Sequence, residues 1–551
     1  MIRTTEIIRI GRRTVGFGLA LSLLVLVLGC GGDPGADRKA GGGSAAQPVT
    51  GGTAVVAIPA DPGVLNPLIY NSALAGLIFA EMHDGLAEMD DDLSWQPRIA
   101  RSWEVAPDGL SVTYHLNPWR WSDGEPLTAR DVVNSFTLFK DPRVASPRRG
   151  LYREVVSATA LDAETVRYEF ERPLADPVRM TWHHILPYHI VKEYDPADVA
   201  RWSLNDQPLS SGEFVLASRV HNSELVLGRN ERYPGPAALL DRVVLRVIPE
   251  DSARVLALEA GEVDLVDHIS PADARRLGAT GKARIEACNG RRFYYLQWNL
   301  DNPRLRDPDT RRALSLAINR PGMIEVLLAG YGTPAASPIP PAIWNHHGGL
   351  AADPYAPDRA RELLAQAGWR DQDGDEVLDR DGLRLEFEIL GRQGDSLRDN
   401  GGVMLKQAFA AVGAEVTLRS LELASGLARL RAGNFDAYFG LLNANLYGDP
   451  SGYVHSRATD QFNKGHYANA TVDSLLDAAA GISDRGRALP LWYRLQETLA
   501  SDPPCAYLFY PDYLVGVGNR LRDVRPHLLS PLNNLNQWWI APEDRKYRAG
   551  N

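Results

Sequence analysis

The residues that could bind a metal or act as a nucleophile are few, and their spacing limits what the chain can do. Two histidine pairs stand out, His183-His184 after Trp182 and His346-His347 after Trp344. A metal needs several ligands at fixed distance, and adjacent side chains rarely face one ion together. Solvated or core-edge histidines are therefore expected. Asp371, Asp373, Asp375 and Asp379, in DQDGDEVLD, alternate like the start of a calcium loop. An EF-hand needs Gly at its sixth position and Glu at its twelfth. Counted from Asp371, those positions hold Glu376 and Gly382, so the segment reads as an exposed turn. Gly448-Asp-Pro-Ser451-Gly452 sets a serine among glycines without the spacing of a nucleophile elbow. There is no His-Glu-x-x-His, no Walker A loop and no Gly-x-Gly-x-x-Gly after a strand. No catalytic residue, metal or cofactor is assigned, and a hydrolase is only the alternative from another class.

Composition narrows the field further. The 551 residues exceed the length at which one core usually suffices, so two or more lobes are expected. A net charge of -10, with no Lys/Arg run beyond the N-terminal segment, disfavours nucleic acid as a partner, and none is expected. Three cysteines are too few for a disulfide scaffold or a four-thiolate zinc site.

One stretch, Arg98 to Phe139, is dense with local structural signals. Val112, Tyr114 and Leu116 alternate with Thr113 and His115, the period of a half-buried strand. Trp121-Ser-Asp-Gly124 supplies a turn. A helix is expected to open at Leu127-Thr128, with Thr128 as N-cap and Asp131 completing an approximate capping box. Val132, Val133, Phe136 and Phe139 form its apolar stripe.

The N-terminus reads as targeting. Arg3, Arg9, Arg12 and Arg13 precede an apolar run from Val15 to Leu28, too short for a confident membrane span. It ends in Val27-Leu28-Gly29-Cys30, which resembles the bacterial lipobox, in which the cysteine is lipidated. Residues 1–29 are thus expected to be a signal peptide and Cys30 the lipid attachment site. Acyl chains contribute about 0.8 kcal/mol per buried methylene, so the protein would be held on a membrane surface. Residues 30–52 are Gly-, Ala- and Pro-rich and read as a flexible tether.

The wording of the central stretch, SWEV-x-x-DGL, a strand, then W-SDGEPLTA-x-DVV-x-SF, resembles the signature of the family 5 extracytoplasmic solute-binding proteins of ABC importers. Further landmarks follow in family order: Asp61 to Pro67, His83-Asp84-Gly-Leu86, Leu209 to Leu216, Asn230-Glu-Arg-Tyr233, Leu258 to Asp264, Tyr295 to Asn299 and Asp309 to Ile318. The resemblance runs from about residue 50 to the C-terminus. It implies an α/β, two-lobed fold of the periplasmic-binding-protein type (class II), with an extra subdomain inserted in the first lobe. Residues 53–288 plus 508–551 would form lobe I, with the insertion at about 85–215, and 289–507 would form lobe II. The implied function is capture of a small solute, by default a peptide, and delivery to permease subunits by a monomeric, extracytoplasmic, lipid-anchored receptor. The alternative within the binding class is a sensor of a peptide or sugar-like ligand.

The resemblance also points to site residues. Peptide-binding members place an acid for the ligand's α-ammonium before their Asp-Pro; aligned on Pro450, that position is Leu446 and the preceding Trp position is Asn443. Arg392 falls where dipeptide binders hold the ligand carboxylate, a task suited to its bidentate fork. Asn443, Asn445, Tyr447 and Tyr70 would add neutral hydrogen bonds and aromatic surface. Cys288 and Cys505 fall near the two expected lobe boundaries, making a candidate disulfide across the hinge.

Overall fold

The computed structural model describes residues 47–546. The expected signal segment, Cys30 and most of the tether lie outside them. The last tether residues behave differently from expectation. Gly51 and Gly52 are buried: Gly51 N–H donates to the Leu239 carbonyl at 2.7 Å and Gly52 N–H to Asp241 at 2.9 Å. Their φ values of 113° and 101° are open to glycine, so the chain docks before its first strand begins.

The fold is α/β with two lobes that share one twelve-stranded sheet. The shared element is the fourteen-residue strand Cys505–Gly518, buried at both ends. Its C-terminal half pairs antiparallel with Ala283–Asn289, from Ala283 opposite Gly518 to Asn289 opposite Asp512. Its N-terminal half pairs with Arg292–Trp298, from Tyr294 opposite Phe509 to Gln297 opposite Cys505. Pro511, which has no N–H to give a ladder, stands where the partners change. The chain thus passes between lobes twice, side by side, at residues 290–291 and at 510–512.

On the first-lobe side, Thr53–Ile58 is parallel to both Arg242–Val247 and Leu265–Val266. The buried Asp264 accepts from Val55 N–H at 2.8 Å and pairs with Arg520 at 2.6 Å, tying the C-terminal segment into this lobe. On the second-lobe side, Glu386–Arg392 is parallel to Glu415–Leu421 and to Ala437–Asn443. Helices such as Ser396–Ala410 cover that half of the sheet over a core of Leu405, Phe409, Phe387 and Trp298.

Between Met82 and Phe214 the chain builds a second sheet with an apolar core of its own. A four-stranded antiparallel sheet runs in the order Ala100–Val105, Ser111–Leu116, Thr165–Phe170, Val155–Ala160. Val112, Tyr114 and Leu116 are buried and Thr113 and His115 half-buried, as the alternation requires. The helix is Ala129–Lys140 with Thr128 as its N-cap, as expected, and Pro126–Leu127 just before it pairs with Trp119–Arg120. The cap holds: Thr128 N–H donates to Asp131 at 2.8 Å. A hairpin, Ala87–Met89 with Trp95–Pro97, precedes this sheet.

Candidate ligand cleft

Strand direction places the candidate residues. In open α/β sheets, ligands bind outside the carboxyl ends of parallel strands. In the second lobe these ends are Arg392, Leu421 and Asn443. Asn443 pairs with Arg292, the first residue after the crossing, so this edge faces the first lobe. In the first lobe, Val266 pairs with Gly516 and Leu265 with Val517, so the carboxyl ends there also point toward the crossing. The two sets of ends look at each other across a pair of adjacent crossing segments.

Arg392 ends its strand exposed, with no carboxylate partner among the described residues. Asn443 is exposed, and its carbonyl accepts from the Tyr453 hydroxyl at 2.5 Å. Asn445 is also exposed; its side-chain oxygen accepts from Tyr447 N–H at 2.9 Å and fixes a turn. Leu446 is half-buried and packs against the apolar cluster of Phe293, Tyr295 and Tyr507. Gly448, at φ 78°, closes the loop, and Asn345 donates to its carbonyl at 2.8 Å. Tyr447 reaches the other lobe: the Arg179 guanidinium lies 4.3 Å from its ring centre. Tyr70 is different in kind. It is buried in the first-lobe core against Phe79, its ring covered by the Arg148 guanidinium at 3.4 Å. Arg148 also donates to the Tyr70 carbonyl at 2.7 Å. Tyr70 is therefore wall rather than surface, and Arg148 is the polar group above it.

The remaining chemistry-bearing residues are accounted for locally. His183 is buried, sharing a hydrogen bond with the Tyr168 hydroxyl at 2.8 Å and another with the His184 carbonyl at 3.0 Å. Burial pushes its imidazole down to about 4. His184 turns into an aromatic group of Trp182, Phe79 and Tyr70. His346 bonds the Ile339 carbonyl at 2.6 Å while His347 stacks on Tyr493 at 4.3 Å. Neither pair converges on one point. Asp371, Asp373 and Asp375 are exposed and close enough to share an ion, yet Asp371 already accepts from Gly374 and Glu376 N–H. Ser451 donates to the Asp449 carboxylate at the start of a four-residue helix, and no histidine is its partner among the described residues.

The candidate disulfide is corrected. Cys288 and Cys505 are both free. Cys288 pairs with Tyr513, eight residues along the same strand from Cys505. That is about 26 Å at strand rise, several times the reach of a disulfide. Burial raises both thiols, to about 11 and about 12 respectively.

Sequence reasoning missed Arg148, Arg179 and Trp182, the last 36% exposed on the first-lobe side. Arg179 sits on the short helix Pro177–Thr181, whose N-cap Asp176 gave the one local signal. A polar hollow of about 510 Å³ lies elsewhere, bordered by Asn299, Asp301, Glu388, Arg429 and Asp436. It opens at the amino ends of the second-lobe parallel strands, away from the crossing. Arg429 pairs there with Glu388 at 3.0 Å, and Asp301 shares a hydrogen bond with His466 at 2.6 Å.

The family model for bacterial extracellular solute-binding proteins, family 5, matches residues 94–465. The chain belongs to that family. The oligopeptide-binding protein AppA of Bacillus subtilis is 26% identical over 545 residues, covering 96% of this chain and 99% of that relative. The nickel-binding periplasmic protein of Escherichia coli is 26% identical over 397 residues, 69% of this chain and 73% of its own. Among solved structures, AppA of B. subtilis in complex with a nonapeptide matches with a TM-score of 0.65 at 25% identity, covering 90% of this chain and all of that one. NikA of Brucella suis in complex with Fe(III)-EDTA matches with a TM-score of 0.75 at 22% identity over 89% of this chain and all of its own; that likeness is one of fold.

Proposed function

We propose that this family 5 protein is the solute receptor of an ABC importer: it captures a small guest between its lobes, by default a peptide, and presents it to a membrane permease. One observation carries the reading. The carboxyl ends of both lobes' parallel strands face one another across two adjacent crossing segments. That geometry suits hinge closure around a ligand. Discrimination would come from polar contacts that lose water on closing, with Arg392, Asn443, Asn445 and Tyr447 on one wall and Arg148 above Tyr70 on the other. Leu446 packs into the core where peptide-binding members hold an ammonium, so the guest is bound without an ion pair there. Lobe limits close to the expected ones, moved to the crossings at residues 290–291 and 510–512, belong to this reading, as do lipidation at Cys30, an extracytoplasmic monomer and the lack of catalysis. No covalent step is involved.

Native mass spectrometry of the protein isolated from its own cells tests this. A one-to-one complex with a small molecule that leaves unaltered on unfolding is expected. Protein that carries nothing, takes up nothing from peptide mixtures and cleaves peptides or esters would overturn it.

A further inference from the structure

The hairpin Ala87–Met89 and Trp95–Pro97 belongs to the first lobe, yet its tip is buried against the second. Leu93, at that tip, is 0% exposed and shares an apolar cluster with Phe293, Tyr295, Ile339, Ile343 and Tyr507. Its φ is 62°, in the left-handed region that a leucine adopts only under constraint. Glycine or asparagine would suit such a turn, so the local sequence has a cost that the local structure does not offset. What the leucine gains is on the other lobe.

A cation completes the contact. Arg485, at the first turn of the helix Arg485–Ser501, donates to the Asp92 carbonyl at 3.2 Å and also to the Leu93 carbonyl. Its guanidinium lies 5.0 Å from the Trp344 ring centre. The hairpin is in turn braced: Trp95 donates to Asp176 at 3.2 Å, and Asp176 caps the helix whose Arg179 covers Tyr447. Two contacts between lobes, one at Leu93 and one at Arg179, are thus joined through the Trp95–Asp176 bond. The cluster that receives Leu93 is the one against which Leu446 packs.

We propose that Leu93 and Arg485 form a clasp between the lobes that bounds the apolar end of the cleft beside residues 443–447. Leu93 is the peg and Arg485 the bolt behind it; both are positioning residues. Opening the lobes requires the peg to leave its apolar seat, so the clasp sets how readily the empty receptor opens.

The test uses the whole protein freed of guest, so its outcome does not depend on what the guest is. Hydrogen exchange is followed in the seat, residues 338–346, and in the distant strand Ser111–Leu116. Leu93→Gly relieves the backbone constraint while removing the peg, and Arg485→Gln removes the charge from a half-exposed site. The clasp predicts seat exchange faster by about tenfold in Leu93→Gly, a smaller rise in Arg485→Gln, and an unchanged Ser111–Leu116 in both. Small-angle scattering should show a larger radius of gyration for each variant. A Leu93→Gly protein whose seat exchanges no faster than the parent's means that Leu93 is an ordinary turn residue, and the proposal fails. Should Leu93→Gly disturb Ser111–Leu116 as well, Arg485→Gln alone decides, by the same two readings.

Discussion

Asp131 shows how much of the family signature is structural. It is 3% exposed, and it accepts from Thr128 N–H at 2.8 Å, Tyr188 N–H at 2.9 Å and Trp121 Nε1 at 3.1 Å. Hydrogen bonds to a charged group each contribute about 1.5–3 kcal/mol. Asp131→Ala should therefore cost about 3 kcal/mol or more of unfolding free energy in urea, with no role in guest contact. Asp84 carries a pH dependence of definite sign. Burial pushes its carboxyl up to about 7, against the pull of Arg98 and with the push of Glu88 and Glu213. A folded value above the unfolded one means that the native state holds the extra proton. This contribution is full below about pH 4 and is lost as the pH rises through 7. Asp84→Asn should flatten the fall in stability between pH 5 and pH 8, read from urea midpoints; an unchanged slope would refute the assignment. His83 works the opposite way. Burial lowers its imidazole to about 4, so its contribution is lost as pH falls from about 6.5 toward 4. At this scale the cap at Thr128 and Asp131 was readable because both partners sit within one turn. Leu93 and Arg485 were not, since 392 residues separate them and nothing local marks either.

Among the elements, the alternating strand Ser111–Leu116 and the helix Pro357–Gln366, with glycine at φ 94° just beyond it, follow from period and caps alone. The long strand Cys505–Gly518 does not. The lobe boundary expected between residues 507 and 508 falls inside this continuous element, which changes partners at Pro511. Near-continuous apolar sequence gives no sign of which neighbour each half will choose. The same blindness suggested a disulfide between two cysteines that the strand holds apart. Alkylation in denaturant without reductant should label Cys288 and Cys505 fully; a bridged peptide would contradict the strand register. Gly448 holds the turn that presents Asn445 and Tyr447. It lies at φ 78°, and a side chain there would overlap the Asn345 amide. Gly448→Ala should cost about 1–2 kcal/mol in thermal unfolding and weaken guest retention in native mass spectra.

For the whole molecule, the landmark motifs were sufficient for a two-lobed α/β body because they build it: Asp131 anchors the inserted structure, Asp264 locks the C-terminal segment to the first lobe, and Asn230 donates to the Gly212 carbonyl at 2.8 Å. The guest was not legible for the same reason. The residues that would touch it lie at strand ends and in the loops that follow, where neutral side chains such as Asn443 and Asn445 fit many ligands. Two places come into question for a small solute, the proposed interlobe site and the distal polar hollow beside Asn299 and Arg429. The position of the co-purified guest in a crystal structure separates them. Density between the loop 443–447 and the first lobe, for a molecule of unchanged mass, is the predicted result. A guest seated in the distal hollow, with the cleft between the lobes left to solvent, would contradict it.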